Sequence, residues 1–263
     1  MTGSTHWLVP EWPCLPNRVG VLSTTRLGGV SAAPYDDGTG LGGLNLGTHV
    51  GDDAAQVARN RALLGAALPS EPVWLEQVHG TAVADIATVA AGQVPQADAS
   101  ISSTPGKVCI IMTADCLPVL FCDALGKTVG AAHAGWRGLA DGVLEQTVAA
   151  MREQGALGIT AWMGPAIGPE RFEVGAEVRE IFQRHAAHGG GDVEATLAAF
   201  QPVAGKADKY LADIYALARL RLRAAGVQAV YGGTECTASD GARFYSYRRD
   251  GVTGRQGSLI WIK

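Results

Sequence analysis

Three residues of the sequence have side chains that bind soft or borderline metal ions, and each follows or ends an apolar segment. They are His79, Cys116 and His133. Two imidazoles and one thiolate give Zn²⁺ three protein ligands and leave a fourth position for water or substrate, which is typical of a catalytic zinc site. An ion held in this way lowers the pKa of a bound water or polarises a substrate group. The pattern therefore favours a catalytic metal centre.

The spacing of these three residues is wide and matches no compact metal-binding motif. Cys116 is therefore also consistent with a buried free cysteine, and each histidine with a hydrogen-bonded loop residue. Asp115, next to Cys116 in an otherwise apolar run, favours the metal site. A carboxylate in such surroundings needs a partner, such as a ligand histidine or an arginine.

Cys116 and His133 also allow a second enzyme chemistry, in which the thiol is a nucleophile and the imidazole is its base, as in cysteine hydrolases. Metal analysis distinguishes the two, because a zinc-bound thiolate resists alkylation until the metal is removed. A dinucleotide site is excluded. Gly38, Gly40 and Gly43 satisfy GxGxxG, but no strand precedes them and no helix begins after them.

The segments that must position these residues alternate between short β-rich runs and amphipathic helices, without a linker rich in Pro, Ser or charge. This alternation predicts one α/β domain over residues 1–263. Continuous apolar strands indicate a sheet covered on both faces. The Gly-rich segment 28–47 is predicted to be irregular. The predicted strands are 19–25, 73–78, 108–113, 119–122, 128–133, 159–163, 227–231, 244–247 and 259–262, and the predicted helices are 54–67, 139–154, 176–185 and 209–225.

Composition excludes several classes of protein. With 47% hydrophobic and 17% charged residues, the chain resembles an ordered globular protein, and a net charge of −4 gives no global attraction to nucleic acid or anionic membranes. The first 13 residues lack the pattern of a secretory signal, and the apolar run 108–122 is too short to span a bilayer. Five cysteines without a CxxC pair indicate free thiols in a reducing compartment, so we expect a cytoplasmic protein.

Six segments closely resemble the YfiH-like family, also called the laccase-domain or multicopper polyphenol oxidase family, which includes a peptidoglycan editing factor. The resemblance spans nearly the whole chain. It implies a single-domain α/β sandwich with a mixed sheet, distantly like the catalytic domain of cytotoxic necrotizing factor toxins, and it places the family's metal ligands on His79, Cys116 and His133. The segments are NLGTHVGDD (45–53), LEQVHG (75–80), TADCLPVLFCD (113–123), AAHAGWRGL (131–139), MGPAIGP (163–169) and FYSYRRDGVTGRQ (244–256).

The resemblance also implies activity on purine nucleosides: phosphorolysis of adenosine, inosine and methylthioadenosine, and deamination of adenosine. Bacterial members are linked to removal of wrongly built peptidoglycan precursors. Phosphorolysis needs a bound phosphate, which guanidinium groups hold well, although arginines near turns are commonly solvated. The phosphate candidates are Arg26, Arg248 and Arg249. Asn45 and Gln77 are candidates for the ribose or the base edge, with turn formation as the alternative for Asn45, and His49 is a candidate for an acid–base or supporting role.

Full multicopper oxidase chemistry does not fit the sequence, because a blue-copper site plus a three-copper cluster needs more histidines than the six scattered ones present here. A single site with two histidines and one cysteine can still take copper in vitro, because Cu²⁺ outcompetes Zn²⁺ at most nitrogen and sulfur sites. A third interpretation is a non-catalytic module that binds cell-wall enzymes or precursors. No feature of the sequence specifies an oligomeric state.

Overall fold

The computed structural model describes residues 6–263. Residues 1–5, the first part of the 13-residue segment that lacks a secretory-signal pattern, lie outside the described residues. The strands are β1 (Val19–Ser23), β2 (Val83–Asp85), β3 (Ala99–Ser102), β4 (Val108–Thr113), β5 (Leu117–Cys122), β6 (Val129–Ala134), β7 (Thr160–Met163), β8 (Glu173–Gly175), β9 (Phe200–Pro202), β10 (Lys209–Ala212), β11 (Val230–Gly232) and β12 (Gln256–Ile262). The helices are α1 (Ala54–Gly65), α2 (Trp136–Asp141), α3 (Val143–Glu153), α4 (Ala176–His188), α5 (Val193–Ala198), α6 (Ile214–Ala224) and α7 (Tyr247–Asp250).

The largest sheet has six strands in the order β11-β7-β5-β6-β3-β2, and it mixes parallel with antiparallel pairs. Its central strands β5 and β6 are antiparallel, with Pro118 opposite His133. A second sheet pairs β1, β12 and β4 antiparallel, and a small third sheet pairs β8, β10 and β9.

Strand β4 joins the layers, because its alternate side chains enter two different cores. Cys109 and Ile111 pack with residues of β5 and β6, whereas Ile110 and Met112 pack with Leu64 of α1. Helices α2, α3, α4 and α6 cover the other face of the six-stranded sheet. The order of layers is therefore helices, six-stranded sheet, three-stranded sheet and α1, which confirms the predicted α/β sandwich with a mixed sheet.

Most of the predicted strands are confirmed with shifts of a few residues at their ends, because apolar runs identify buried strands better than they identify strand boundaries. The helices predicted at 54–67 and 176–185 are also confirmed as α1 and α4. Asp53 caps α1 by accepting the N–H groups of Ala55 and Gln56. The segment 28–47 is irregular apart from a bridge between Ser31 and Gly43.

Two predicted strands are wrong, and a glutamine side chain explains each. At 73–78 the backbone makes isolated bridges only, because the Gln77 amide takes both the N–H and the C=O of Met112 on β4. At 244–247 the Gln256 amide likewise takes both backbone groups of Tyr245, and Ser246 then caps α7. A side-chain amide has replaced a strand backbone as partner in both places.

Two predicted helices are divided differently. The prediction 139–154 merges α2 and α3, which are separated by Gly142 at φ 103°, a left-handed conformation that favours glycine. The prediction 209–225 merges β10 with α6, which begins after the cap Asp213. None of the helices in residues 6–263 has the length and apolar character needed to cross a bilayer. The sequence analysis did not predict several short elements. The missed elements are β2, β3, β8, β9, α5 and α7.

Candidate active site

The three predicted metal ligands lie together at one end of the six-stranded sheet. Their ligand atoms are all within 4.8 Å of one another, and Cys116 Sγ is 3.8 Å from His79 Nε2. The rings of His79 and His133 meet edge to face with their centroids 4.8 Å apart. His133 is buried, Cys116 is half-buried and His79 is exposed, so the group opens to solvent on one side. This group could hold a metal ion.

Neighbouring strands bring two of these residues together. Cys116 lies in the turn between β4 and β5, and His133 lies near the end of β6, which pairs with β5. His79 lies in a loop at φ 63°, a left-handed conformation that is uncommon for non-glycine residues and frequent at functional sites. Gly135 allows the close approach, because a Cβ there would be 2.7 Å from His79 Cδ2 and 3.2 Å from Cys116 Sγ.

A buried carboxylate, Asp98, orders two of the three ligands. It lies just before β3 and accepts hydrogen bonds from the backbone N–H groups of Val78, His79 and Gly80, which shapes the His79 turn. Its Oδ1 is also 2.8 Å from His133 Nδ1. Burial raises the pKa of Asp98, but the hydrogen bonds from His133 and the backbone outweigh burial and lower it. Such a carboxylate fixes the ring of a ligand histidine and leaves its Nε2 free for a metal.

Cys116 and His133 form a charged pair in the absence of metal. Burial opposes a charged thiolate, but the charge and hydrogen bond of His133, followed by those of His79, lower the pKa of Cys116 to about 6. Burial also opposes a charged His133, but the Cys116 thiolate and Asp98 raise its pKa to about 9. The lowered pKa favours the thiolate of Cys116, the form that both binds metals and acts as a nucleophile.

A cavity of about 800 Å³ opens beside the three residues, which is within the usual range for small-molecule sites. The side chains of Val78, Val94 and Tyr247 line it and are also exposed, so the mouth of the cavity is apolar. Such surfaces suit the face of a flat ring.

The same cavity has a cationic wall formed by Arg61 and Arg255, with His49 beside them. Arg61 lies on α1 with its guanidinium 3.6 Å from the centroid of the Trp74 ring. Burial lowers the pKa of Arg255, and burial likewise lowers that of Arg61, although guanidinium groups stay charged at neutral pH. Partial burial, followed by the charges of Arg255 and Arg61, lowers the pKa of His49, so this imidazole is neutral at pH 7. Two half-buried guanidinium groups in one wall could hold an anion.

The arginines singled out from the sequence make structural hydrogen bonds and do not line this cavity. Arg26 is buried and donates to the backbone oxygens of Asp36 and Gly241. Arg248 donates from its side chain to the backbone oxygens of Arg171 and Glu173. Arg249 donates to the carboxylate of Asp250 and to the backbone oxygens of Thr237 and Phe244.

The other polar candidates divide between the cavity and the interior. Gln77 and His49 line the cavity, with the Gln77 amide fully engaged by Met112. Asn45 is completely buried and does not line the cavity. The expected partner of Asp115 is also different: the carboxylate accepts the Thr237 hydroxyl at 2.6 Å and the backbone N–H of Arg248, so neither a ligand histidine nor a guanidinium pairs with it.

Three residues of the site were missed from the sequence, namely Asp98, Arg61 and Arg255. Asp98 precedes β3, a strand that was not predicted. Arg255 lies inside the segment FYSYRRDGVTGRQ, in which Arg248 and Arg249 were predicted to bind phosphate. Arg61 is one of two charged residues on α1, and its stacking on Trp74 and its hydrogen bond to the Leu46 carbonyl distinguish it from Arg59.

Comparisons with known proteins identify the same family that the sequence segments resemble. A purine nucleoside phosphorylase YfiH of Escherichia coli strain K12 is 52% identical over 257 residues, which cover 97% of this chain and 98% of the relative. A purine nucleoside phosphorylase of Pseudomonas aeruginosa is 53% identical over 257 residues, covering 98% of each chain.

Two crystal structures resemble the whole chain. A Neisseria meningitidis protein superposes with a TM-score of 0.86 at 46% identity, covering 98% of this chain and 99% of the other. YlmD from Geobacillus stearothermophilus superposes with a TM-score of 0.85 at 32% identity, covering 100% of this chain and 98% of the other. A family model described as multi-copper polyphenol oxidoreductase laccase matches residues 20–263. The chain therefore belongs to this laccase-domain family, the YfiH family, as its sequence segments predicted.

Proposed function

We propose that this chain is a zinc-dependent purine nucleoside phosphorylase that also deaminates adenosine. The observation that carries the proposal is a single cavity in which the group His79, Cys116 and His133 faces the cations Arg61 and Arg255. Phosphorolysis needs an anion site next to the groups that act on the nucleoside. The names of relatives that are 52% and 53% identical support the same reaction.

The donor set supports zinc as the ion. Zn–S and Zn–N bonds of about 2.3 and 2.0 Å at tetrahedral angles put sulfur and nitrogen about 3.5 Å apart. Cys116 Sγ and His79 Nε2 are 3.8 Å apart, and His133 Nε2 is left free because Asp98 holds Nδ1. When bound, the ion supplies Lewis acidity at its open fourth position.

Arg61 and Arg255 hold the phosphate in this proposal. A phosphate oxygen forms a bond to C1′ of the ribose while the bond from C1′ to the purine nitrogen breaks, and the purine leaves with that electron pair. The two guanidinium groups offset the charge of the phosphate and orient it, because they are held before the substrate arrives. The neutral imidazole of His49 offers a further hydrogen bond. Adenosine, inosine and methylthioadenosine share the purine and ribose that this reaction needs.

Deamination of adenosine differs in its source of oxygen. A carbon–oxygen bond forms at C6 of the purine from water, the bond to the amino nitrogen breaks, and ammonia leaves. This reaction uses the metal-ligand end of the cavity and has no need of the cations. Copper binding in vitro rests on the donor set of two histidines and one cysteine and stays a prediction. A role with peptidoglycan precursors rests on the family resemblance alone and also stays a prediction.

The direct test combines metal quantification with a product screen. Protein purified without added metal should contain about one zinc per chain, since three ligands with an ordered carboxylate hold zinc well. Incubation with adenosine should release adenine only when phosphate is present, and should release inosine without phosphate. A protein free of zinc that still cleaves nucleosides would contradict the metal assignment, and phosphate-independent release of adenine would contradict phosphorolysis.

The charged pair of Cys116 and His133 supports a second candidate, a cysteine hydrolase. The two candidates predict different alkylation. If Cys116 is a ligand, iodoacetamide should modify it only after a chelator removes the metal, and the modification rate should then rise with pH around 6. If it is a free nucleophile, alkylation should be equally fast before and after chelation. Exposed Cys14 is the control, since its rate should not respond to the chelator.

A further inference from the structure

The buried Asn45 connects the two cations of the cavity through the backbone. Its Oδ1 accepts the backbone N–H of Arg255 at 2.9 Å and that of Gly47 at 2.9 Å. Its Nδ2 donates to Asp52 Oδ2 at 2.8 Å and to the Gly47 carbonyl at 3.2 Å. Every hydrogen-bonding atom of this amide is therefore used inside the protein.

The next residue along the chain contacts both arginines. The backbone N–H of Leu46 donates to the carbonyl of Arg255 at 3.1 Å, and the Leu46 carbonyl accepts from Arg61 Nε at 3.0 Å. Gly47 lies against the Arg255 side chain, because a Cβ at that position would be 2.8 Å from Arg255 Cγ. Three consecutive residues, 45–47, thus contact both Arg61 from α1 and Arg255 from the segment before β12.

We infer that Asn45 is a positioning residue that sets the spacing of Arg61 and Arg255 for phosphate. This inference rests on the proposed phosphate site. Two guanidinium groups bind one phosphate well only when both point at it, and half-buried cations repel each other unless the surrounding structure holds them in place. The Asn45 amide supplies that support by fixing the backbone of Arg255, while the adjoining Leu46 carbonyl fixes the Arg61 side chain.

A simple role for Asn45 in loop stability predicts something different, and the chain offers a matched control. Ser31 belongs to the same buried network, where its Oγ donates to Asp52 and accepts from Asn60, but it does not contact residues 45–47. Ser31→Ala and Asn45→Ala should both destabilise the loop. Only Asn45→Ala should change the cations of the cavity.

A second variant keeps the test informative if Asn45→Ala fails to fold. In Asn45→Asp combined with Asp52→Asn, residue 45 still accepts from the N–H of Arg255, and the amide on residue 52 donates back to residue 45. Asn45→Asp alone keeps the acceptor but places two carboxylates face to face. We therefore expect the double variant to restore the phosphate binding that Asn45→Asp weakens.

The experiment measures binding of inorganic phosphate to the metal-loaded protein by calorimetry, and hydrogen exchange of the Arg255 backbone amide. Asn45→Ala and Asn45→Asp should weaken phosphate binding by about tenfold, because small displacements of positioning groups have large effects. Ser31→Ala and the double variant should stay within about threefold of wild type. Zinc content should not change in any of them. The Arg255 amide should exchange faster in Asn45→Ala only.

The outcomes separate this inference from the proposed function. If Arg61→Ala and Arg255→Ala abolish phosphate binding while Asn45→Ala matches Ser31→Ala, the positioning role is wrong and the phosphate site stands. If Arg61→Ala and Arg255→Ala leave phosphate binding unchanged, or wild type binds none, both proposals are overturned. In that case the exchange rate of the Arg255 amide would still report on its hydrogen bond to Asn45.

Discussion

The two ends of the cavity are built in different ways. At the metal-ligand end, Cys116 and His133 come from adjoining turns and strands of the central sheet, and the single carboxylate of Asp98 orders two ligands at once. At the cationic end, Arg61 and Arg255 come from elements far apart in the sequence, and residues 45–47 make hydrogen bonds to both. The first end depends mainly on the sheet, and the second depends on a loop. Substitutions at one end should therefore leave the geometry of the other end intact.

The largest effect should come from Cys116→Ala, which removes the only sulfur ligand of the proposed site. We expect metal content to fall from about one per chain to a small fraction, and both activities to fall by more than about a hundredfold, because two ligands are too few for a stable open site. The fold should survive, since a core of this size does not depend on one ion. Metal quantification, product assays and circular dichroism check this, with Cys14→Ala as the control. Stoichiometric metal in Cys116→Ala would contradict the ligand assignment.

Asp98→Asn should have the next largest effect, and it should act through the metal. The substitution puts an amide donor where the carboxylate accepts backbone N–H groups, and it weakens the hold on His133. Metal affinity should fall about 10- to 100-fold, as measured by competition with a chelator.

Asp123→Asn is a matched control for Asp98→Asn, because Asp123 is also buried and also accepts backbone N–H groups, from Lys127 and Thr128 in the turn after β5. It should destabilise the protein without changing metal affinity. Equal metal affinities in the two variants would mean that Asp98 serves the fold alone.

Arg61→Ala and Arg255→Ala should separate the two ends of the cavity. Loss of a charge-assisted hydrogen bond costs about 1.5 to 3 kcal/mol, or roughly ten- to a hundredfold in rate. We expect that loss in kcat/KM for phosphorolysis, mainly through KM for phosphate, and little change in deamination or zinc content. Both reactions are measured with adenosine. A parallel fall of both activities would show that the arginines act on the nucleoside and not on the phosphate.

The contrast between the two ends also explains what the sequence could predict. His79, Cys116 and His133 were predicted as ligands because apolar runs mark strands, and because polar residues at strand ends gather at one edge of a sheet. The α/β class followed from the same runs, whereas the sandwich with a mixed sheet came from the family resemblance. The family segments assigned the same three ligands, although the strand predicted just before His79 is a loop in the structure.

The cationic end could not be predicted in this way, because it depends on long-range contacts of side chains with the backbone. Nothing local distinguishes Arg61 from other arginines until Trp74 and the Leu46 carbonyl are in place. Asp98 was missed for a related reason: β3 is a short segment of small residues whose apolar character is too weak for a strand prediction. The strands predicted at 73–78 and 244–247 are wrong for the same reason, namely long-range pairing of a side chain with the backbone. The Gln77 and Gln256 amides make these hydrogen bonds, and no local pattern in the sequence indicates them.

The smallest effect on the ratio of phosphorolysis to deamination should come from Arg26→Ala and Arg248→Ala. Arg248 is exposed, and its side chain only joins the carbonyls of Arg171 and Glu173, so its loss should cost less than about 1 kcal/mol of stability. Arg26 is buried beside Asp36, so its loss should cost about 1.5 to 3 kcal/mol of stability. Neither guanidinium lines the cavity, so the ratio should stay within about twofold of wild type in both variants. Thermal unfolding checks the expected loss of stability, and the paired adenosine assays check the ratio of the two activities. A selective loss of phosphorolysis in Arg26→Ala or Arg248→Ala would contradict the assignment of the phosphate site to Arg61 and Arg255.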